Sequence, residues 1–280
     1  MNRRQFLRLG SLFLASPLLA QCSRNDSEPA SVALGPLRHA SVQAGRFRIH
    51  YLASEGGGSP LVLVHGSGLS GRYMIPTARE LARDFRVSLP DFPGFGDSDK
   101  PAEVLNVPQL ADALAAWLPA AGLERASLLG NSFGCQVIAD LAARYPERVV
   151  RAVLQGPTTP PGERSWFWQF IRWRQNQRYN PPELGAITNA DYHKCGVRRM
   201  VRSFQEQISD RIEDKAPRIR APVLVVRGAE DPIANERWCE EIARLCPQGR
   251  LAVIPGVAHT LCYTAPVALA EVTRAFLQNR

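Results

Sequence analysis

The sequence contains none of the modules by which proteins usually read nucleic acids. Helix-turn-helix, zinc-finger and aromatic-sheet signatures are all missing from its 280 residues. The formal net charge of +8 is modest, and removal of a leader that carries Arg3, Arg4 and Arg8 would leave about +5. We therefore exclude nucleic acid as a partner and expect a small-molecule substrate.

The N-terminus lacks an apolar run long enough for a permanent membrane span. Its apolar stretch extends only from Leu9 to Ala20, whereas a spanning helix needs about 20 residues. The preceding run 2–8 reads N-R-R-Q-F-L-R and resembles the twin-arginine export signal. We interpret residues 1–22 as a signal peptide and residues 23–38 as a linker, and we expect an exported, periplasmic protein.

The end of this leader resembles a lipoprotein box. Residues 19–22 read L-A-Q-C, and in such a box Cys22 would be lipidated and would attach the chain to a membrane. Gln21 departs from the small residue usual at its position, and one lipid gives only weak anchoring. Attachment through Cys22 and release without a lipid both stay open. The alternative to a signal peptide as a whole is a frayed N-terminal helix, which the order of paired arginines, apolar stretch and polar linker disfavours.

The sequence lacks a recognisable disulfide framework, although it contains six cysteines. Cys239 and Cys246 lie on one predicted helix at about 10 Å of rise, too far apart to bridge. Cys135 with Cys262 is a better geometric guess, because both follow candidate catalytic residues that must meet. The pairing itself stays open.

Beyond the leader, the pattern of apolar residues predicts an α/β fold. Alternation at Phe47, Ile49 and Tyr51 indicates an antiparallel opening hairpin over 42–51. Later short apolar runs indicate strands buried on both faces, and amphipathic stretches between them indicate helices. The strands are predicted at 61–64, 86–89, 126–129, 149–154, 223–226 and 251–254, and the helices at 75–84, 107–121, 133–144, 235–245 and 266–278. We expect a mostly parallel eight-stranded sheet with helices on both faces.

Residues 157–220 interrupt this rhythm. They carry 12 Lys and Arg against 7 Asp and Glu, together with Trp166, Trp168 and Trp173. We interpret them as a helical lid, here called the lid segment, inserted into a core formed by residues 39–156 and 221–280.

Three side chains predict nucleophilic catalysis. The segment 130–134 reads G-N-S-F-G between a predicted strand and a predicted helix, where this motif forms a sharp turn that exposes its serine. Asp231 and His259 each follow a later predicted strand. A serine hydroxyl needs an imidazole to accept its proton, and the imidazole needs a carboxylate to hold its tautomer. Ser132, His259 and Asp231 supply these roles.

Each of the three has a structural alternative. Ser132 and Asp231 could cap the helices that follow them, and His259 could be a packed loop histidine. Glu230 stands beside Asp231 as a rival carboxylate. We favour the catalytic reading, because capping leaves the glycines around Ser132 and the matching order Ser, Asp, His unexplained.

The remaining candidate residues surround this trio. The segment 65–68 reads H-G-S-G after a predicted strand, and we expect the amides of Ser67 and Phe133 to bind the oxyanion. We list as candidate substrate contacts His65, Gly66, Trp166, Trp173, Arg198 and Arg199. An aromatic lid with excess positive charge predicts an apolar or aromatic acyl substrate, whose carboxylate Arg172, Arg198, Arg199 or Arg202 would meet.

Together these motifs resemble the α/β-hydrolase superfamily over roughly residues 40–278. The resemblance rests on H-G-S-G at 65–68, D-F-P-G-F-G-D-S-D at 91–99, G-N-S-F-G at 130–134, Asp231 and His259. Within it, the chain is most similar to the branch of meta-cleavage-product hydrolases, which split carbon-carbon bonds in vinylogous diketones, and related carboxylic ester hydrolases. Dehalogenases and most epoxide hydrolases of this fold use an aspartate nucleophile, so Ser132 argues against both.

We expect ester hydrolysis through an acyl-enzyme, with no metal and no organic cofactor. Carbon-carbon bond hydrolysis is the alternative, and predicted export disfavours it because ring degradation is intracellular. A non-catalytic ligand-binding protein of the same fold is the alternative from another class, and the intact set Ser132, Asp231 and His259 argues against it.

Overall fold

The computed structural model describes residues 32–278. The predicted signal peptide, the candidate lipidation site Cys22 and most of the predicted linker lie outside the described residues. Within 32–278, no helix combines the length and the apolar character that crossing a membrane requires.

An eight-stranded sheet forms the centre of the fold, in the spatial order β1-β2-β4-β3-β5-β6-β7-β8. Strand β2 runs antiparallel to both of its neighbours, and all other neighbouring pairs are parallel. The predicted mostly parallel sheet is thereby confirmed. The strands are β1 Leu37–Ala44, β2 Phe47–Ser54, β3 Ser59–Val64, β4 Phe85–Pro90, β5 Ala126–Asn131, β6 Val149–Gln155, β7 Val223–Gly228 and β8 Gly249–Ile254.

The opening hairpin is longer than the alternation pattern indicated. Strand β1 begins at Leu37, inside the range predicted as linker, because Leu37 is fully buried and pairs in register with Ser54. Arg38 and His39, which follow Leu37, are both exposed, so this part of the strand shows too little alternation to be recognised.

Ten α-helices follow or connect the strands of the described part. Six belong to the core: α1 Ile75–Leu81, α2 Val107–Ala120, α3 Phe133–Arg144, α8 Glu236–Leu245, α9 Leu261–Thr264 and α10 Pro266–Gln278. Four lie in the lid segment: α4 Trp166–Asn176, α5 Pro182–Cys195, α6 Val197–Ser209 and α7 Ile212–Lys215.

Both faces of the sheet are covered by helices. Successive strand residues point to opposite faces, and in β3 Val62 and Val64 join a hydrophobic cluster with α2, α3 and α8. Leu61 and Leu63 join a second cluster with α1 and α10. Burial of each such side chain contributes about 1.5–3 kcal/mol. The apolar runs of the sequence therefore require helices on both sides, and the carboxyl ends of the parallel strands remain free to carry functional loops.

The lid segment stands between β6 and β7 and contacts the core through apolar side chains, such as Ile187 and Ile212, and through polar ones. Asp191 on α5 accepts hydrogen bonds from the amide and the hydroxyl of Ser70, at 2.9 and 2.7 Å. Lys215 on α7 lies 3.1 Å from a carboxylate oxygen of Asp140 on α3. These contacts join two lid helices to two separate parts of the core.

The guessed pairing of Cys135 with Cys262 is wrong in this structure. All five described cysteines are free and buried. Cys135 belongs to the hydrophobic cluster on one face of the sheet, whereas Cys262 belongs to the cluster on the other face. Both residues follow loops that meet at one edge, but their side chains point to opposite sides of the sheet.

Candidate active site

Ser132 stands in a strained turn between β5 and α3. Its φ of 57° is the only positive value among the non-glycine residues of the described part, and such strain concentrates at functional sites. A Cβ on Gly134 would lie 2.4 Å from the carbonyl oxygen of Val64, and one on Gly130 would lie 2.7 Å from Ile138. Glycine is required at both positions because backbone and side chains approach the turn so closely.

His259 and Asp231 meet at the carboxyl edge of the sheet. Nδ1 of His259 lies 2.8 Å from Oδ2 of Asp231. The other carboxylate oxygen accepts hydrogen bonds from the amides of Ile233 and Ala234, at 2.8 and 2.9 Å. Asp231 therefore both closes its own turn and orients the imidazole. The rival carboxylate of Glu230 is largely solvent-accessible.

The loop after β6 makes room for this pair. Gly156 adopts a φ of 62°, and a Cβ there would lie 2.8 Å from Cε1 of His259. Any side chain at this position would displace the imidazole. Gly156 is thus a site residue that motif reasoning missed, although its place directly after a buried strand was a usable signal.

The second nitrogen of the imidazole is available for proton transfer. A proton on Nδ1 that is donated to Asp231 leaves Nε2 as an acceptor. Nε2 is buried and has no hydrogen-bond partner among residues 32–278. No hydrogen bond from Ser132 reaches it in this state, and catalytic hydrogen bonds often form only when substrate is bound.

The loop after β3 lies against the nucleophile. A Cβ on Gly66 would lie 3.5 Å from Cβ of Ser132, so this loop borders the serine. Phe133 is the first residue of α3, where amides have no partner inside the helix. Ser67 follows Gly66, and its hydroxyl lies 2.7 Å from that of Ser203 on α6. The structure thus brings the Gly66–Ser67 loop beside Ser132 and Phe133.

His65 is a structural residue, which corrects its assignment as a substrate contact. Its Nε2 accepts a hydrogen bond from the amide of Phe92 at 3.0 Å. Its Nδ1 donates to the carbonyl of Gly66 at 2.9 Å. Burial lowers the pKa of His65, so the ring is neutral and both nitrogens are occupied. His65 joins two loops and has no free nitrogen for a ligand.

The two lid tryptophans named as substrate contacts pack within the lid segment. The ring of Trp166 lies 4.7 Å from that of Phe204, which joins α4 to α6. The ring of Trp173 stacks on Phe170 at 5.9 Å. Both tryptophans are half-buried, and these ring contacts account for their place in the fold.

The two lid arginines named as substrate contacts face the loop at 100–104. The guanidinium of Arg199 donates to the carbonyls of Pro101 and Glu103, at 2.7 and 3.2 Å. Arg198 is exposed and lines a surface depression beside Val104. The assignment of Arg199 as a carboxylate ligand is corrected, because its guanidinium is used to hold the lid segment to the core. The assignment of Arg198 stays a prediction.

The other two arginines considered for this role also have internal partners. Arg172 forms a two-point ion pair with Glu163, with Nε 2.9 Å from one carboxylate oxygen. Arg202 donates to the side chain of Gln205 at 3.2 Å. These two arginines of the lid segment therefore contact other lid side chains rather than a site for a substrate carboxylate.

A chain of buried hydrogen bonds joins the three functional loops, and the motif search missed it. The amide of Gly66 donates to the hydroxyl of Tyr73 at 2.8 Å, and that hydroxyl donates to Asn131 at 2.6 Å. Asn131 donates to the side-chain oxygen of Gln155 at 2.7 Å, and Gln155 donates to the carbonyl of His259 at 2.8 Å. Polar residues at the ends of the buried strands β5 and β6 were the available signal.

One cluster in the described part has side chains of the kind that bind metal ions, but these side chains already hydrogen-bond or pair with protein groups. Ligand atoms of His50, Asp91 and Asp97 lie within 4.8 Å of one another. Asp91 accepts hydrogen bonds from His50 at 2.9 Å and from the amide of Asp97 at 3.0 Å. Asp97 pairs with Lys194 at 2.7 Å. The cluster braces the loop at 91–99 and contains none of the three candidate catalytic residues.

Comparisons with known proteins agree with this architecture. A model of the alpha/beta hydrolase family matches residues 61–272. Over 112 residues the chain is 42% identical to 2-hydroxymuconate semialdehyde hydrolase of Pseudomonas sp. strain CF600, and the alignment covers 38% of each chain. Over 262 residues it is 26% identical to pyrrolizixenacetamide deacetylase of Xenorhabdus hominickii, covering 84% of this chain and 94% of that one.

A solved structure is similar as well. The thermophilic esterase from Thermogutta terrifontis matches with a TM-score of 0.73 at 24% identity, covering 86% of this chain and 98% of that one. At this identity the likeness concerns the fold alone. The stronger sequence match, to the semialdehyde hydrolase, spans well under half of that relative's length.

Proposed function

Because the chain belongs to the alpha/beta hydrolase family, we propose that it is a serine hydrolase that cleaves a carboxylic ester, or a related acyl bond. The substrate class is small and apolar or aromatic. Support comes from the serine turn, from the pairing of imidazole and carboxylate, and from a relative named as a deacetylase that aligns over 84% of the chain.

The proposed reaction is acyl transfer to water. Oγ of Ser132 attacks the carbonyl carbon while its proton passes to Nε2 of His259, and Asp231 stabilises the imidazolium that forms. The amides of Ser67 and Phe133 donate to the oxyanion of the tetrahedral intermediate. The imidazolium then protonates the leaving alcohol. Water repeats the sequence on the acyl-enzyme, releases the acid and regenerates the serine.

One observation carries this proposal: His259 donates through Nδ1 to Asp231 while its buried Nε2 has no partner in the described part of the chain. A buried polar atom without a partner costs about 1–3 kcal/mol. Such a cost needs an explanation, and acceptance of the proton of Ser132 supplies one. An imidazole held in this tautomer keeps Nε2 available to accept a proton, which is the task of a general base.

Carbon-carbon bond hydrolysis is the second candidate. A relative with this kind of substrate in its name, the semialdehyde hydrolase, is 42% identical over the aligned 112 residues. The same serine, imidazole and carboxylate would act after the dienol substrate ketonises. A non-catalytic binding role is disfavoured, because binding alone does not require the strained serine or the oriented imidazole.

The experiment compares the full chain with Ser132→Ala on short-chain and aryl esters and on a panel of dienones. Ser209→Ala is the matched control, since Ser209 is an exposed serine at the end of α6. We expect ester hydrolysis by the wild type and by Ser209→Ala, with a loss of about 10³-fold or more in Ser132→Ala.

If the wild type hydrolyses the dienones but none of the esters, carbon-carbon bond hydrolysis would replace ester hydrolysis as the proposed function. Turnover of neither class, or equal turnover by Ser132→Ala and the wild type, would refute the serine mechanism.

A further inference from the structure

The histidine loop is held from the lid segment as well as from the core. Helix α4 ends at Asn176, whose side chain is only 3% exposed. Its Oδ1 accepts a hydrogen bond from the amide of His259 at 3.0 Å. Its Nδ2 donates to the hydroxyl of Thr260 at 3.3 Å. Both ends of this buried amide are therefore directed at the loop that carries the imidazole.

Four groups hold His259, and Asn176 is the one from the lid segment. Asp231 holds the ring at Nδ1. Gln155 and, at 3.4 Å, Asn131 donate to its carbonyl. Asn176 accepts from its amide. The groups at the amide and the carbonyl fix the backbone from which the side chain of His259 projects, and together with Asp231 at the ring they restrict the direction of Nε2.

The lid segment reaches the oxyanion loop by a separate contact. The hydroxyl of Ser203 on α6 lies 2.7 Å from that of Ser67. Tyr192 on α5 packs against Gly68, where an added Cβ would lie 2.9 Å from its ring. Three lid helices thus contact the two loops that carry the proposed base and one proposed oxyanion donor.

We propose that Asn176 is a positioning residue for His259, so that docking of the lid segment completes the catalytic geometry. The inference rests on the proposed function, because it assigns His259 the role of base. A lid that had moved away would release the amide of His259 and leave its loop attached through the carbonyl and the ring. A misplacement of about 1 Å at a reacting group can cost about 10²-fold in rate.

The test uses two variants of one helix. Gln169 matches Asn176 in burial, at 3% exposed, but it donates to the carbonyl of Glu163 within the lid segment, at 3.1 Å. We expect Asn176→Ala to lower kcat for an ester about 10- to 100-fold with KM changed less than about threefold. We expect Gln169→Ala to lower kcat less than about threefold, although both variants lose a buried amide of the lid segment.

A conservative variant separates positioning from folding. Asn176→Asp keeps an oxygen for the amide of His259 and accepts a hydrogen bond from the hydroxyl of Thr260. We expect it to recover most of kcat at alkaline pH. The added negative charge favours the imidazolium, so the acidic limb of its kcat/KM profile should shift to higher pH. Loss of packing alone would not move that limb.

A fluorophosphonate probe reports the nucleophile without an identified substrate. We expect the wild type and Gln169→Ala to react at similar rates and Asn176→Ala to react about 10-fold or more slowly. Equal rates for Asn176→Ala and the wild type, or equal losses in Asn176→Ala and Gln169→Ala, would overturn the inference. If Asn176→Ala fails to fold, the pH profile of Asn176→Asp decides the question, and an unshifted limb overturns it. A wild type that the probe does not label would instead refute the proposed function.

Discussion

The core and the lid segment use polar side chains in different ways. In the core, neutral groups form the buried chain through Tyr73, Asn131 and Gln155 that joins the functional loops. At the margins of the lid segment, charged side chains make many of the contacts, as Arg199 does with the loop at 100–104 and Lys194 with Asp97. The core thus fixes the site with directional bonds in a dry interior, whereas the lid segment combines buried contacts, such as that of Asp191 with Ser70, with partly exposed ones at its margin, such as that of Lys194 with Asp97.

This difference has an energetic consequence. Removing one partner from a buried hydrogen-bonded chain costs about 1–3 kcal/mol because the other partner is left unpaired. Exposed ion pairs contribute about 0–1 kcal/mol and weaken in salt. Lys194 and Asp97, each about half exposed, belong to the weak class. We therefore expect changes in the core to impair chemistry and changes at the lid margin to alter mainly stability and binding.

The largest expected effect comes from the carboxylate that orients the imidazole. We expect Asp231→Asn to lower kcat/KM for an ester by about 10³-fold or more, because an amide no longer stabilises the required tautomer or the imidazolium. Glu230→Gln is the matched control, since it neutralises the neighbouring, largely exposed carboxylate. Steady-state kinetics of both variants measure the difference. Similar losses in the two would remove Asp231 from its assigned role.

The next effect concerns the buried chain. Tyr73→Phe deletes the hydroxyl that accepts from Gly66 and donates to Asn131. We expect kcat to fall about tenfold and the free energy of unfolding to fall by about 1–3 kcal/mol. Tyr51→Phe is the matched control. It deletes a hydroxyl from a half-buried ring that packs on Trp117 and takes no part in the buried chain of hydrogen bonds. If Tyr51→Phe lowered kcat as much as Tyr73→Phe does, the buried chain of hydrogen bonds would have no special role in catalysis.

A smaller effect is expected at the lid margin. Arg199→Met removes the two hydrogen bonds to the carbonyls of Pro101 and Glu103. We expect Tm to fall by about 2–4 °C and KM to rise equally, by less than about threefold, for neutral esters and for esters that carry a carboxylate. Melting curves and paired KM measurements test this. A rise confined to the acidic ester would reinstate Arg199 as a substrate ligand.

The smallest effect on catalysis is expected from Asp210, which pairs with Lys215 at the base of the lid segment. Burial raises the pKa of Asp210 to about 6, against the opposing charge of Lys215. The folded state therefore binds the proton more tightly than the unfolded state, and the stability contribution of this group is lost as pH rises from about 4 to 6.

Asp210→Asn removes this titration. We expect its free energy of unfolding to rise relative to the wild type across that pH range, by at most about 3 kcal/mol, with kcat unchanged at neutral pH. Denaturant unfolding at several pH values measures the trend. A difference between variant and wild type that stays constant with pH would contradict the shifted pKa.

Much of the fold could be predicted because β3, β5, β6 and β7 contain short apolar runs that lie in the interior of the sheet. Runs that are buried on both faces need no partner information to be recognised. Strand β1 was underestimated, since its alternation is weak and its place at the sheet edge depends on the register with β2. The lid segment was recognised only as helical, because the packing of Trp166 on Phe204 depends on how α4 and α6 approach each other.

The site residues also divide into those that local sequence patterns reveal and those that depend on distant partners. Chain order and position after buried strands are local properties, and they sufficed to select Ser132, Asp231 and His259 as candidates. His65 was misassigned because its partner Phe92 lies 27 residues away in the sequence. Arg199 was misassigned because its partners, the carbonyls of Pro101 and Glu103, leave no mark in a side-chain pattern.

The amino-acid sequence by itself determined the α/β class of this protein, the order of its strands along the chain and the candidate residues at their carboxyl ends. Each of these follows from short-range patterns of apolar, glycine and polar residues. Only the tertiary structure decided which charged side chains are occupied in holding the lid segment, and that Gln155 and Asn176 hold the histidine loop from two sides. Hydrogen bonds between residues far apart in the chain are set by the packing of whole elements, and no local pattern encodes that packing.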